Sequence, residues 1–211
     1  MIRKLAIRMA KSSQVPHLKI FPTIGYVPNA APAKTNLKLS NMDYDISIIR
    51  PQMRSDDFKI RGQDTPPARL KDIRKGLLAL HTLELMASTI YKIQITSSKD
   101  ELNRQLIAAM CNEMVHYQDF QVKLFEYGWK PSKLRWLYWL VGFAFGFISR
   151  LIGTKAILRT GIWVESKAVS HYDELLHNVN WDEDTRKVIE KDQADEQGHI
   201  TRWKNLYQSI P

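Results

Sequence analysis

The stretch Asp192-Gln193-Ala194-Asp195-Glu196-Gln197-Gly198-His199 decides the fold. Glu196 and His199 are three residues apart, so on an α-helix their side chains leave from one face. Followed both ways, that face reads Ile189, Asp192, Glu196, His199, Trp203, Leu206, Ile210. The spacing is 3-4-3-4, apolar at both ends and acidic in the middle. A buried carboxylate is costly unless it is paired or coordinates a metal. The face therefore predicts a packed helix that needs positive charge at its centre.

Three other segments carry the same anomaly. Thr65-Pro66-Pro67 reads as a helix start, with Thr65 as N-cap, and the helix runs to about Ile95. Its stripe is Leu70, Ile73, Leu77, Leu80, Glu84, Ala87, Tyr91, with Glu84 as the one charge. Ser98-Lys99-Asp100-Glu101 has the form of a capping box and opens a second helix, which Gly128 and Pro131 close. That stripe, Leu102, Leu106, Ala109, Glu113, His116, Phe120, Leu124, Tyr127, holds a second Glu-x-x-His. A further helix from about Lys155 carries Leu158, Gly161, Glu165, Ala168, Tyr172, Leu175, Val179, and Glu165 is its only acid. No alternation of strand period occurs between 65 and 211, so this region reads as all-α. Beyond the two Glu-x-x-His pairs, no internal repeat is expected.

Four helices thus place Glu84, Glu113, Glu165 and Glu196 at mid-stripe, and two add His116 and His199. With 9 Glu and 6 His in 211 residues, chance supplies about 0.25 Glu-x-x-His pairs, so a lone match means little. A third match, Glu174 to His177, illustrates this. Glu174 lies nine residues past Glu165, roughly 900° round the helix, and should face solvent. The other two pairs sit on apolar stripes, and no Lys or Arg shares those stripes to neutralise them. Six such residues are the set that holds two metal ions in a ferritin-like four-helix bundle. Four carboxylates balance two divalent cations, and oxygen with imidazole donors suits iron or manganese. His81, one turn before Glu84, His171 and Tyr172 after Glu165, and Asp192 before Glu196 are candidates to orient ligands, or are ordinary buried hydrogen-bonding groups.

Between the second and third of these helices lies LRWLYWLVGFAFGFISRLIG, residues 134–153. Only 136–149 lack charge, too few for the roughly 20 residues of a spanning helix. The segment is either a fully buried core helix or one lying in a membrane interface, with its aromatic residues in lipid and the flanking Arg at headgroup level. The net charge of +9 hints at nucleic acid until it is located. Residues 1–42 hold seven basic residues and no acid, leaving 24 Lys and Arg against 22 Asp and Glu in the remainder. The body is nearly neutral and gives no case for a nucleic-acid partner. The start, acid-free and followed by Pro16, Pro22, Pro28 and Pro32, resembles a mitochondrial presequence; a basic membrane-surface arm is the alternative. Residues 43–64 read as an extended lead-in, and 65–211 as the bundle. The single Cys111 excludes an intramolecular disulfide and is expected as a small buried hydrophobe.

The ordered set His81-x-x-Glu84, Glu113-x-x-His116, Gly142-Phe143-x-x-Gly146, Gly153, Glu165 with His171-Tyr172, and Glu196-x-x-His199 resembles demethoxyubiquinone hydroxylase, over about residues 75–205. The family departs from this chain in usually having small residues where Thr82 and Leu83 stand. The resemblance implies a di-iron monooxygenase of coenzyme Q biosynthesis, with the six residues above as iron ligands and molecular oxygen and a lipid quinone as substrates. It implies that 134–153 forms a membrane-facing lid over a quinone channel, with Trp139, Gly142, Phe143, Gly146 and Phe147 as its residues. It also implies a peripheral place on the mitochondrial inner membrane, and a coenzyme Q biosynthesis complex or a homo-oligomer as partner. The alternatives are a ferritin-like ferroxidase and a non-enzymatic subunit of a mitochondrial membrane complex.

Overall fold

The computed structural model describes residues 59–210, so the expected presequence and most of the lead-in lie outside the described residues. Five helices follow in order: α1 Pro67–Gln94, α2 Glu101–Glu126, α3 Arg135–Ile152, α4 Thr154–Asn178 and α5 Glu183–Gln208. Among the described residues there is no strand. Short turns pair α1 with α2 and α4 with α5 into two hairpins, which meet through α1 against α4 and α2 against α5. This is the four-helix bundle the stripes predict, with α3 as an addition.

The caps explain where the helices begin, and two differ from expectation. α1 starts with prolines at its first turn, which need no backbone N–H partner, but its N-cap is Pro66 rather than Thr65 and makes no side-chain bond. The cap of α2 is Asp100, whose Oδ1 accepts from the Asn103 N–H at 2.8 Å, and Ser98 instead donates to Asp100. Asp182 caps α5 in the same way through the Thr185 N–H at 3.0 Å. Arg61, from the lead-in, donates to Glu126 at the end of α2 and to Asp182 and Asp184 at the start of α5. It ties one end of the two hairpins together.

The stripes point inward as their period requires. Ile73, Leu77, Leu80, Phe120, Leu124, Tyr172 and Ile189 form one core cluster, and Tyr91, Leu106, Ala109, Leu158 and Trp203 another. A fully buried Leu or Ile of this kind contributes about 1.5–3 kcal/mol. The Glu and His residues lie between these two apolar clusters, which shield them from water. Glu174 and His177 are exposed, as the helical rotation requires. Cys111 is also exposed, against the expectation of a buried thiol. It lies two residues from both the Ala109 and Glu113 stripe positions, roughly 200° round the helix, and so turns away from the core.

α3 overturns the buried-core alternative. It packs on α1 and α4 only, and just Gly142, Gly146 and Ser149 are buried. Trp136, Trp139, Phe143, Phe145, Phe147 and Ile148 are exposed. A Cβ on Gly142 would lie 2.6 Å from Met86 O, and one on Gly146 2.7 Å from Ile90 O, so only glycine lets the two backbones approach this closely. Gly146→Val is expected to force α3 off α1 and cost about 1–3 kcal/mol. Urea unfolding measures it, and an unchanged midpoint would mean that this contact carries no stability. Among the described residues, no helix is long and apolar enough to cross a membrane.

Candidate metal centre

Each of the four bundle helices delivers its mid-stripe acid to one place. Glu113, His116, Glu165, Glu196 and His199 have no exposed surface, and Glu84 has 2%. Their ligand-type atoms form two tight groups: Glu84, Glu113, His116 and Glu196, and Glu113, Glu165, Glu196 and His199. Glu113 and Glu196 belong to both. All six residues singled out by sequence are therefore brought together.

Both imidazoles present Nδ1 to the carboxylates. His199 Nδ1 lies 3.1 Å from Glu113 Oε1, 3.2 Å from Glu196 Oε2 and 3.3 Å from Glu165 Oε1. His116 Nδ1 lies 2.9 Å from Glu196 Oε1, 3.7 Å from Glu84 Oε2 and 4.0 Å from Glu113 Oε2. One N–H carries one hydrogen and cannot serve three acceptors. Glu113 Oε2 and Glu165 Oε2 are buried with no hydrogen-bond partner. Acceptors crowded round a nitrogen, with further acceptors unsatisfied, are the arrangement a cation completes. The donor set fits a pair of divalent ions.

The proton affinities point the same way. Burial pushes Glu113 well above the carboxylate range, and the charges of Glu196 and Glu165 add to the shift. Glu165 is pushed up to about 8 by burial and by Glu196. Burial also opposes the Glu196 charge, but hydrogen bonds with His116 and His199 outweigh it and hold Glu196 below the usual range. Burial would lower both imidazoles, yet both stand well above their ordinary value: His116 through Asp195, Glu196 and Glu84, His199 through Glu113, Glu165 and Glu196. Glu113 and Glu165 therefore hold protons unless other positive charge replaces them.

The supporting residues fall in several places. Tyr172 donates from its hydroxyl to Glu84 Oε1 at 2.5 Å. Asp192 Oδ1 lies 3.7 Å from His116 Nε2 and 2.8 Å from Lys191 Nζ. The His81 Nε2 lies 3.0 Å from Gln121 Oε1, with its ring against Tyr117. His171 turns to the half-exposed side, 3.7 Å from Glu174 Oε2. Two residues escaped the sequence analysis. Asp195 lies 3.2 Å from His116 Nε2, and Tyr91 donates from its hydroxyl to Glu165 Oε1. Burial, then the charges of Glu165 and Glu113, raises Tyr91 well above its ordinary value; burial, then Glu84, does the same for Tyr172. Both phenols therefore stay protonated and act as donors. Tyr91 follows Glu84 by seven residues as Tyr172 follows Glu165, and that spacing was the available signal. Of the aromatic residues on α3, Trp139, Phe143 and Phe147 stack in a row along its exposed face, 5.7 and 5.9 Å between centroids. Gly142 and Gly146 face the other way, against α1.

The chain is 27% identical over 125 residues to a Dictyostelium discoideum protein named NADPH-dependent 3-demethoxyubiquinone 3-hydroxylase, mitochondrial, covering 57% of this chain and 58% of that one. It is 27% identical over 127 residues to a Legionella pneumophila 3-demethoxyubiquinol 3-hydroxylase, covering 59% and 60%. It is 29% identical over 140 residues to one from Alcanivorax borkumensis, covering 64% of each. The chain thus spans about three fifths of the length of these curated relatives. The family model described as ubiquinone biosynthesis protein COQ7 matches residues 73–205, which contain all six clustered residues, and the chain belongs to that family.

Proposed function

We propose that this chain is a di-iron monooxygenase that hydroxylates a demethoxyquinone ring, with Glu84, Glu113, His116, Glu165, Glu196 and His199 as the metal ligands. The observation that carries it is the sharing of Glu113 and Glu196 between two buried groups, which together would hold two cations. Family membership and the relatives' names supply the reaction class. Two bound iron ions would supply the redox chemistry that activates molecular oxygen; manganese fits the same donors.

The rest follows from the chain's own side chains. Glu84 is held by the Tyr172 hydroxyl and Glu165 by that of Tyr91. Asp195 and Asp192 stand beside His116 Nε2, which turns Nδ1 toward the carboxylates. The apolar clusters on either side exclude water from the reacting ring. The exposed aromatic face of α3 lies at a membrane surface, where a lipid-tailed ring resides, and Trp139, Phe143 and Phe147 border its route in. Gly142 and Gly146 hold that face close to α1, the helix that bears Glu84. On this reading the protein sits peripherally on a membrane, that of mitochondria by analogy with the Dictyostelium relative's name. A coenzyme Q biosynthesis complex or a second copy of the chain are partners of the same reading.

The test supplies reduced, iron-loaded protein with demethoxyubiquinone and oxygen and follows the quinone by mass. A gain of one ring oxygen is expected. Oxygen consumption with iron oxidation and no change in quinone mass would favour a ferroxidase instead. Phe143→Asp is expected to slow turnover of a long-tailed quinone several-fold more than of a short-tailed one, because it puts charge where the tail passes. Equal slowing of both would remove α3 from the substrate route.

A further inference from the structure

The cluster is more symmetric than the two Glu-x-x-His pairs reveal. Glu84 meets Tyr172 while Tyr91 meets Glu165. As residue number rises on α1 it falls on α4, so the two helices run antiparallel and exchange equivalent contacts. α2 and α5 do the same, since His116 meets Glu196 and Glu113 meets His199. The sequence repeats accordingly. Leu77-x2-Leu80-x3-Glu84-x2-Ala87-x3-Tyr91 on α1 matches Leu158-x2-Gly161-x3-Glu165-x2-Ala168-x3-Tyr172 on α4. Glu113-x2-His116-x3-Phe120 on α2 matches Glu196-x2-His199-x3-Trp203 on α5. The reciprocal contacts relate the two hairpins by an approximate two-fold, and the matched spacings extend the repeat beyond the two Glu-x-x-His pairs.

Within that symmetry the phenols have a defined target. Glu113 and Glu196 enter both groups, whereas Glu84 enters one and Glu165 the other. Each tyrosine, reaching across from the opposite hairpin, donates to the carboxylate that only one group uses. The symmetry breaks at the rings packed against the two phenols. The Tyr172 ring packs on Phe120 at 6.0 Å, and the Tyr91 ring packs on Trp203 at 5.5 Å. Only the indole carries a donor, and Trp203 Nε1 donates to the Tyr91 hydroxyl oxygen at 3.1 Å. Gly161, where α1 has Leu80, gives the indole its room, with a Cβ there 3.0 Å from Trp203 Cδ1. A phenol oxygen that accepts from Trp203 must direct its own hydrogen elsewhere, to Glu165.

We propose that Tyr91 and Tyr172 are positioning residues, each fixing the unshared carboxylate of one metal position, and that the Trp203 indole makes the Glu165–His199 position the more rigidly held of the two. This rests on the reading of the six residues as ligands. Hydrogen bonds to a ligating group commonly change metal affinity 10–100-fold, and a donor locked at both ends gives a stronger bond than one locked at one.

Titration of the full-length, chelator-stripped protein with Co(II), followed by visible absorption, tests it. The wild-type protein is expected to bind in two resolved steps. Tyr91→Phe should weaken one step about tenfold and alter its absorption bands. Tyr172→Phe should weaken the other step and leave the first in place. Trp203→Phe, the residue found at the equivalent position 120, should weaken the Tyr91-dependent step by a smaller factor and draw the two affinities together. It also keeps the test open if Tyr91→Phe proves insoluble. The melting temperature of each stripped variant reports packing separately, since a merely structural role would lower it and weaken both steps alike. Loss of the same step in Tyr91→Phe and Tyr172→Phe, equal loss of both steps, or no loss overturns the proposal while leaving the metal ligands standing. Absence of any Co(II) uptake by the wild-type protein overturns the ligand assignment itself.

Discussion

Glu196→Ala is expected to empty both metal positions, whereas Glu84→Ala or Glu165→Ala should empty one. Glu196 and Glu113 belong to both buried groups, and the other two carboxylates to one each. Removing a shared carboxylate takes away an oxygen donor from each ion and leaves two negative positions less well neutralised. Elemental analysis of iron-loaded protein after desalting should fall from two ions per chain to well under one in Glu196→Ala and Glu113→Ala. It should fall to about one in the two unshared variants. Turnover should be lost in all four, because both ions are needed for the reaction. Two ions retained in Glu196→Ala would show that Glu196 does not serve both positions. Equal loss in all four would show that the positions cannot be occupied separately.

Removal of metal is expected to invert the dependence of stability on pH. In chelator-stripped protein, Glu165 keeps its proton up to about pH 8, whereas in the unfolded chain it loses it near its ordinary value of 4.5. Between those values the native state binds more protons than the unfolded state, so stability falls as pH rises, by about 1.4 kcal/mol per unit for this one group. Glu113, raised mainly by burial, acts in the same direction. His116 and His199, raised by their carboxylate neighbours against the effect of burial, add to it above their unfolded value of 6.5. Glu196, held low, opposes this only below 4.5. Stripped protein should therefore be most stable near pH 5 and lose several degrees of melting temperature by pH 8. Divalent ions displace the protons, so stabilisation by Mn(II) should grow over the same interval. Thermal melts at pH 5.5 and 8, with and without Mn(II), measure both slopes. A stripped protein that melts higher at pH 8 than at pH 5.5 would mean that the cluster is not protonated as described.

The central polar residues were legible because burial and helical period constrain them at once. Glu84, Glu113, His116, Glu165, Glu196 and His199 each interrupt an apolar stripe, and a stripe of 3-4 spacing has one face to bury. Tyr91 and Trp203 were less legible, because an aromatic residue on such a stripe serves equally well as core. Only the packing of α1 and of α5 against α4, with the Trp203 side chain reaching Tyr91, shows what their hydroxyl and indole N–H meet. Asp195 was missed for a related reason. It is half-exposed beside the stripe, and its proximity to His116 depends on how α5 lies against α2.

By itself, the sequence determined that the region is all-α, that four stripes converge on an acidic centre, and that the centre needs cations. Those properties follow from local periodicity and from the cost of burying charge, neither of which requires knowing how the helices are placed. Tertiary structure alone decided which carboxylates are shared, which phenol serves which carboxylate, and which side of α3 is left exposed. Periodicity could not choose between a buried and an exposed α3, since both fit the same apolar segment. The choice came from Gly142 and Gly146, whose missing Cβ atoms let α3 lie against the α1 backbone and turn its aromatic side chains outward.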